Sequence, residues 1–326
     1  MKVTIIIPVY LVELYIKDCL KSVYNQKYNN IEVILVNDCT PDRSMELAKE
    51  FVDESSLPAG MEIKFLEHER NRGVSAARNT GTSAATGDYI YYLDSDDEID
   101  PDCISLLVQP LKKMRYNLIL GDYSVVGERG KSQLNLSEGE VIGNNKIFHE
   151  YCFQNIYSYP WNKLCNREFL IKNSLYFREG LSHEDDLWSF QMSMVAESMY
   201  VIKQNTYLYK IREDSFTTTE TVLFEINTYI KISELINSMI KGLSANEKYD
   251  VYHYLDVLYG RRYIRCIWSK FYNEYKQLRK NDIRSWTYLF RKSLSSKQYL
   301  RCHGHCLFPP VLGYGIYILI MKYMLN

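Results

Sequence analysis

The chain has 326 residues, 46% of them hydrophobic and 24% charged, and this composition can bury a full core and excludes a disordered protein. Its formal net charge of −1 conceals a local asymmetry near the C-terminus, and no nucleic-acid partner is expected. The length suits one large domain followed by a smaller one.

The first hundred residues alternate between apolar runs and amphipathic segments. Each apolar run predicts a strand, and each amphipathic segment between two runs predicts a helix. Continuous apolar strands separated by helices indicate an α/β protein whose parallel sheet is covered by helices on both faces. The predicted strands are 3–7, 31–36, 62–66 and 89–93, and the predicted helices are 14–24, 44–52 and 74–85.

Beyond residue 100 the pattern becomes less regular. The predicted strands are 117–120, 200–203 and 207–211, and the predicted helices are 144–154, 168–173 and 185–196. After Thr219 the sequence is rich in Tyr and lacks strand signals, which predicts helices alone. We therefore place a domain boundary near residues 217–219, with a sheet domain over 1–218 and a helical region over 219–326.

Three carboxylates follow the strand at 89–93 within four residues. Asp94, Asp96 and Asp97 would lie at the carboxyl end of a buried strand, where open α/β sheets bind ligands. Such a cluster repels itself unless a cation or a donor-rich ligand neutralises it, and all-oxygen ligands suit Mg²⁺ or Mn²⁺. The alternative interpretation is a solvated acidic turn.

Other polar residues stand where further strands end and where a helix begins. Tyr10 follows the first strand and could stack on a nucleobase, although most such tyrosines only pack. Asp38 follows the second strand and could accept hydrogen bonds from a base or a ribose, or serve as a turn residue. Arg78 lies in the first turns of the helix at 74–85 and could pair with phosphate.

Taken together, four segments resemble motifs of the family 2 glycosyltransferases, whose GT-A fold is a Rossmann-like, mostly parallel sheet flanked by helices. These segments are 8–10, 36–44, 71–79 and 93–97. The match covers roughly residues 3–215 and is specific as a set of motifs. Two positions depart from the family pattern: Leu11 stands where the family often has Asn, and Asn37 where it often has Asp.

The resemblance implies a nucleotide-diphosphate sugar donor, most often a uridine one, bound with Mn²⁺ or Mg²⁺ in the half of the domain formed by about residues 1–100. It assigns the metal to Asp96 and Asp94. The residues it implies for the donor are Pro8, Tyr10, Glu13, Asp38, Arg78, Asp94, Ser95 and Asp97. The cation would stabilise the charge that develops on the departing nucleoside diphosphate.

The second half of the domain, about 101–218, would bind the acceptor. Residues 180–190 resemble the segment in which the family carries its catalytic base, and this implies Asp185 as the base of an inverting transfer, with Glu184 in support. The alternative interpretation is an acidic first turn that the helix dipole stabilises. The implied acceptor residues are Trp161, Asn162, Lys163 and Trp188, although tryptophans are as often buried in a core.

The C-terminal region suggests contact with a membrane. Twelve Lys or Arg lie between Arg261 and Arg301 against Glu274 and Asp282, a local charge of +10, and such a block suits an anionic surface. The apolar tail 307–325 is interrupted by prolines and is too short to span a bilayer easily. It could instead lie at the membrane interface, or it could be a helix docked on the protein. The short first strand is not an export signal. We expect a cytoplasmic protein at the inner face of the cell membrane, acting on a lipid-linked oligosaccharide of bacterial surface polysaccharide.

Three other functions are considered from the sequence. A catalytically inactive nucleotide-sugar-binding or scaffolding protein would explain the departures at Leu11 and Asn37. A dehydrogenase would need a Gly-x-Gly-x-x-Gly after the first strand, and a nucleotidyltransferase a Gly-rich basic loop there, and the sequence has neither. The His and Cys residues of 302–306 are packed too closely for an ordinary structural zinc site.

Overall fold

Within the residues that the structure describes, a nine-stranded sheet forms the centre of the first of two compact units into which the chain divides. The computed structural model describes residues 1–126, 134–211, 221–268 and 273. The first unit comprises Met1–Tyr151 with Asn155–Arg212, and the second comprises Cys152–Gln154 with Glu213–Asn326. The predicted boundary at 217–219, the segment 302–306 and the apolar tail lie outside the described residues.

The first half of the sheet is parallel, in the strand order β3-β2-β1-β4. Every residue of β1 and β2 is buried, which explains why these strands read as continuous apolar runs. The strands are β1 (Val3–Val9), β2 (Ile31–Asn37), β3 (Met61–Glu67) and β4 (Tyr89–Tyr92). The connecting helices are α1 (Ile16–Tyr24), α2 (Ser44–Glu54) and α3 (Val74–Ala84). The predicted α/β fold with helix-flanked strands is confirmed.

The second half of the sheet is mixed. Strand β8 (Lys163–Asn166) lies between β4 and β6 (Leu118–Val125) and is antiparallel to both. Beyond β6 comes β9 (Ser198–Tyr209), which runs parallel to β6. The remaining strands, β5 (Glu98–Ile99) and β7 (Gly139–Ile142), pair with β9.

The two strands predicted at 200–203 and 207–211 are one continuous strand, β9. That prediction was wrong because Gln204 and Asn205 interrupt the apolar pattern without interrupting the strand. The register of β9 against β6 shifts at Asp122, so the strand continues through an irregularity.

Helices cover the second half of the sheet and form the second unit. In the first unit they are α4 (Cys103–Val108), α5 (Asn144–Cys152), α6 (Arg167–Lys172) and α7 (Glu184–Val195). In the described part of the second unit they are α8 (Val222–Met239) and α9 (Ala245–Trp268), as the lack of strand signals predicts. Among the helices within the described ranges, none combines the length and the apolar character needed to cross a bilayer.

Candidate active site

The carboxylate cluster forms a tight turn directly after β4. The backbone N–H of Asp97 donates to the carbonyl of Asp94 at 3.1 Å, which closes the turn. Asp94 and Asp96 are partly exposed, whereas Ser95 and Asp97 are buried. Because β4 adjoins β1 near the middle of the sheet, this turn lies at the carboxyl edge where α/β proteins bind ligands.

Asp97 is held by the end of β9. Its carboxylate accepts a hydrogen bond from the Tyr207 hydroxyl at 2.6 Å and one from the backbone N–H of Lys210 at 2.8 Å. Burial and the nearby charges of Asp96 and Asp94 raise the pKa of Asp97 to about 8. The sequence predicts that Asp97 binds the sugar donor, but both of its carboxylate oxygens accept hydrogen bonds within the protein. These two hydrogen bonds fix the turn.

Arg78 joins the carboxylate turn to helix α7. Its side chain is 4% exposed, and its two terminal nitrogens reach Asp94 Oδ1 at 2.8 Å and Glu184 Oε1 at 2.7 Å. The guanidinium also lies over the Phe177 ring, 5.2 Å from its centroid. The sequence predicts a phosphate contact for Arg78, and the structure gives it two carboxylate partners. The link between residues so distant in sequence could not be predicted from the motifs.

The carboxylate turn offers oxygen ligands of the kind that a divalent cation would accept. Arg78 occupies Oδ1 of Asp94, and Asp96 lies partly exposed two residues further along. In the part of the chain that the structure describes, no three or more His, Cys, Asp or Glu side chains surround a common metal position. Mg²⁺ in nucleotide-dependent enzymes takes only one or two carboxylates and completes its shell with phosphate oxygens and water. Asp94 and Asp96 are the residues that would hold the ion.

Asp38 anchors the loop that precedes α3. Its Oδ1 accepts from the backbone N–H of Arg72 at 2.9 Å and lies 2.7 Å from Nδ1 of His68. Its Oδ2 accepts from the backbone N–H of Gly73 at 2.7 Å. The residue is 2% exposed, so its carboxylate already has three partners within the protein. A contact between Asp38 and a nucleobase stays a prediction.

The loop after β1 carries the other predicted donor residues. Pro8 is buried within β1, and Tyr10 is 40% exposed at the end of that strand. Glu13 accepts a hydrogen bond from the backbone N–H of Arg43 at 3.1 Å, which ties this loop to the start of α2. Leu11 has a φ of 53°, a left-handed conformation in which Asn is far better tolerated than Leu. The family's preference for Asn at this position therefore has a conformational basis.

Replacing Leu11 with Asn is expected to raise the free energy of unfolding by about 0.5–1 kcal/mol, because Asn relieves the left-handed strain. Leu11 is 49% exposed, so the change sacrifices little burial. Urea denaturation measures the effect. The matched control is Leu14→Asn in the same loop, where the side chain is 79% exposed and the change should stay within about 0.5 kcal/mol. An equal response of both variants would argue against strain at Leu11.

Helix α7 begins with the acidic segment that the sequence assigns to catalysis. Glu184 is 8% exposed and paired with Arg78, whereas Asp185, taken as a whole residue, is partly exposed. Burial, together with the charges of Asp186 and Glu184, raises the pKa of Asp185 well above its usual range. Asp185 thus combines partial access with raised basicity, and Glu184 is bound to its partner.

The predicted acceptor tryptophans are both buried. Trp188 is 1% exposed, donates from Nε1 to the Leu175 carbonyl at 3.1 Å and stacks on Phe177 at 4.6 Å. Trp161 is 2% exposed and stacks on Tyr207 at 4.4 Å. Neither ring presents an open face of the kind that a sugar needs.

Asn162 and Lys163, the other predicted acceptor residues, are also enclosed. Asn162 has a φ of 56° and accepts at Oδ1 from the hydroxyl of Thr206 at 2.8 Å. The ammonium of Lys163 donates to the carbonyls of Tyr157, at 2.8 Å, and Tyr159. Burial lowers the pKa of Lys163 from 10.5 to about 7, against opposing effects of Cys165 and Asp185. Lys163 therefore holds the loop that precedes it in the chain, through the carbonyls of Tyr157 and Tyr159.

The lowered pKa of Lys163 predicts a stability that depends on pH. Above about pH 7 the folded state has released a proton that the unfolded chain still holds, so stability should rise with pH between about 7 and 10. We subtract the unfolding free energy of Lys163→Met from that of the native protein. This difference should be constant below that window and then rise, in the direction of a more stable native protein, by up to about 1.4 kcal/mol per pH unit.

Urea denaturation between pH 6 and 9, in steps of about one unit, measures this difference. The control is Lys172→Met, which removes an exposed lysine in α6 and should show no such slope. A difference for Lys163→Met that stays flat or shrinks as the pH rises would contradict a buried amine with a lowered pKa.

The order of the strands, the flanking helices and the carboxylate turn at the carboxyl edge together define the GT-A fold. Residues 4–173 match the family described as glycosyl transferase family 2, and the chain belongs to this family. The resemblance noted from the four sequence motifs is thereby confirmed.

The relatives that this chain resembles in sequence include two that are described as glycosyltransferases. The glycosyltransferase GlyA of Streptococcus pneumoniae is 31% identical over 234 residues, which are 66% of this chain and 31% of that protein. The uncharacterized glycosyltransferase EpsJ of Bacillus subtilis is 31% identical over 224 residues, which are 66% of this chain and 62% of that protein. The matched part is thus less than two thirds of the length of either relative.

Solved structures show the same fold at low sequence identity. TarS 1-349 of S. aureus, in complex with UDP-GlcNAc, superposes with a TM-score of 0.76 at 19% identity, covering 99% of this chain and 91% of that one. The mannosyltransferase PcManGT of Pyrobaculum calidifontis, in complex with GDP-Man and Mn²⁺, gives a TM-score of 0.56 at 14% identity, covering 99% and 85%.

Proposed function

We propose that the protein is a metal-dependent, inverting glycosyltransferase that moves a sugar from a uridine-diphosphate donor to a hydroxyl of a growing, lipid-linked oligosaccharide. The observation that carries this proposal is the bridge formed by Arg78 between Asp94 and Glu184. This bridge holds the donor-side turn beside the helix that carries Asp185. Membership of the family supports the reaction class.

On the donor side, Asp94 and Asp96 would hold Mn²⁺ or Mg²⁺, and a bound cation would stabilise the charge on the departing nucleoside diphosphate. Tyr10 offers a half-exposed ring at the carboxyl end of β1 for the nucleobase. The nucleotide-sugar complexes of TarS and PcManGT, the latter with Mn²⁺, support this assignment. Pro8, Glu13, Asp38, Ser95 and Asp97 would shape the donor site.

On the acceptor side, Asp185 is the proposed base. It would take the proton of the acceptor hydroxyl as that oxygen bonds to the anomeric carbon and the bond to the diphosphate breaks. Because attack and departure occur on opposite faces of the sugar, the configuration inverts. A raised pKa makes Asp185 a better proton acceptor once it is ionised. Glu184 would position the start of α7 through its ion pair with Arg78.

The proposal of a lipid-linked acceptor and a place at the cytoplasmic face of the membrane rests on the sequence. The basic block 261–301 and the apolar tail 307–325 suit an anionic bilayer surface. Removing residues 302–326 is expected to release the protein from anionic liposomes in a sedimentation assay. Unchanged binding to liposomes by the shortened chain would contradict this part of the proposal.

The alternative is an inactive nucleotide-sugar-binding or scaffolding protein, based on Leu11 and Asn37. Both departures have structural explanations within the described residues. Leu11 adopts the left-handed conformation that the family's Asn also suits. Asn37 accepts from the backbone N–H of Thr40 at 2.9 Å and donates to Glu67 at 3.1 Å, so its amide fits the turn. Neither departure removes Asp94, Asp96 or Asp185.

The test is nucleotide release from uridine, guanosine and thymidine diphosphate sugars, with and without Mn²⁺. We expect slow hydrolysis of one donor that requires the metal and is lost in Asp96→Ala. Asp53→Ala, which removes an exposed carboxylate on α2, serves as the control and should retain activity. Proton NMR of the released sugar reports inversion. Metal-dependent donor binding without release, on any acceptor, would favour the inactive alternative.

A further inference from the structure

Tyr159 is the exposed member of a stack of aromatic rings. It stacks on Trp161 with ring centroids 4.7 Å apart and planes 6° apart, and Trp161 stacks in turn on Tyr207 at 4.4 Å and 11°. Trp161 and Tyr207 are each 2% exposed, whereas Tyr159 is 45% exposed. Tyr159 is therefore partly open to a ligand, while Trp161 and Tyr207 behind it are enclosed.

Tyr159 also lies on the side of the site where the base is. The carbonyl of Ser158, the preceding residue, accepts a hydrogen bond from the hydroxyl of Ser189. Ser189 is four residues after Asp185 in α7, so the two side chains lie on the same face of that helix, one turn apart. Burial, Tyr123 and the charge of Asp185 raise the pKa of Tyr159, which agrees with this proximity.

The loop that carries Tyr159 is held from behind. The ammonium of Lys163 donates to the carbonyls of both Tyr157 and Tyr159, and it lies 4.2 Å from the centroid of the Tyr157 ring. At the other end of the stack, the hydroxyl of Tyr207 donates to Asp97 in the carboxylate turn. The ring of Tyr159 is thus fixed relative to both halves of the site, and a ligand would meet a preorganised surface.

We propose that Tyr159 is the stacking platform on which a pyranose ring of the acceptor saccharide lies while its hydroxyl faces Asp185. A pyranose presents one or both faces as a patch of C–H groups, and such a patch packs well against an aromatic ring. This assignment rests on the proposed function. It transfers the aromatic acceptor contact from the buried Trp161 and Trp188 to Tyr159, and it makes Lys163 a positioning residue for that contact.

The experiment uses p-nitrophenyl glycosides of glucose, galactose and N-acetylglucosamine as acceptor probes with the donor that the full chain hydrolyses. Tyr159→Leu removes the aromatic ring but leaves an apolar side chain over Trp161. Tyr159→Gln also removes the aromatic ring and leaves a polar side chain in its place. We expect either change to raise the acceptor KM by about five- to tenfold, with donor KM and donor hydrolysis within about twofold of native. Tyr159→Phe keeps the ring and should keep the native acceptor KM.

Tyr176→Leu, at a tyrosine that is 40% exposed, is the matched control and should leave the acceptor KM unchanged. An unchanged acceptor KM in Tyr159→Leu would overturn the platform, as would a native protein that hydrolyses its donor but uses none of the glycosides. Either result would leave the proposed function standing. Absence of donor hydrolysis in the native protein would instead defeat the proposed function, and the platform with it.

Discussion

Replacing Arg78 with Met is expected to lower the free energy of unfolding by about 3–5 kcal/mol, because it leaves Asp94 and Glu184 without their buried partner. Glu184 is the more deeply buried of the two carboxylates, with 10% of its side chain exposed, so it suffers most from the loss. Urea denaturation at neutral pH measures the change. Adding Glu184→Gln to Arg78→Met should restore part of the stability, since it removes the uncompensated charge.

Arg72→Met provides the matched control for Arg78. Nη2 of Arg72 donates to both carboxylate oxygens of Glu179, each at 3.1 Å, but the two side chains are 42% and 45% exposed. An exposed pair of this kind contributes less than about 1 kcal/mol. If the two arginine variants lost similar stability, the buried bridge of Arg78 would contribute no more to folding than an exposed ion pair.

Asp185→Asn is expected to slow transfer by about 10²–10⁴-fold while leaving the donor KM near its native value, because it removes the proposed base but not the donor-side turn. Asp186→Asn is the control at the adjacent position and should retain most of the native rate. Initial rates of nucleotide release in the presence of an acceptor glycoside measure both variants. A comparable loss in the two variants would argue for a general disturbance of α7.

The dependence of the rate on pH gives a second test of the base. Because the pKa of Asp185 is raised, the rate of the native enzyme should rise with pH through a value well above 3.8, the ordinary value for Asp. Asp186 contributes to that raised pKa, so Asp186→Asn should move the acidic limb of the profile to lower pH. A limb at the same pH in both proteins would contradict this origin.

Much of the sheet could be predicted from the sequence because β1, β2 and β4 are buried along their whole length. Strand β8 was missed because it is short and starts with Lys163, a residue whose burial depends on distant carbonyl partners. Strand β9 is continuous, but the sequence predicts two strands there because Gln204 and Asn205 at its centre resemble a loop. Local pattern thus succeeds where burial is complete and fails where tertiary contacts offset polar residues.

For the site, the motifs pointed to Asp94, Asp96 and Asp185, but not to the ion pairs of Arg78 that join the turn to helix α7. The ion pair of Arg78 with Glu184 joins residues 106 positions apart, and no local signal reports it. Exposure of aromatic residues is equally invisible in sequence. Trp161 and Trp188 were the natural candidates for an acceptor, yet the structure buries both rings and leaves Tyr159 exposed.

In the proposed enzyme, one chain joins a metal-dependent donor turn, at Asp94 and Asp96, to a separate base on α7. Calorimetric titration of UDP with and without Mn²⁺ tests it most directly, using the native protein, Asp96→Ala and Asp185→Asn. We predict binding that requires Mn²⁺, is lost in Asp96→Ala and is retained in Asp185→Asn. Binding of UDP that does not depend on Mn²⁺ and is unaffected by Asp96→Ala would show that Asp94 and Asp96 do not form a metal-dependent donor site.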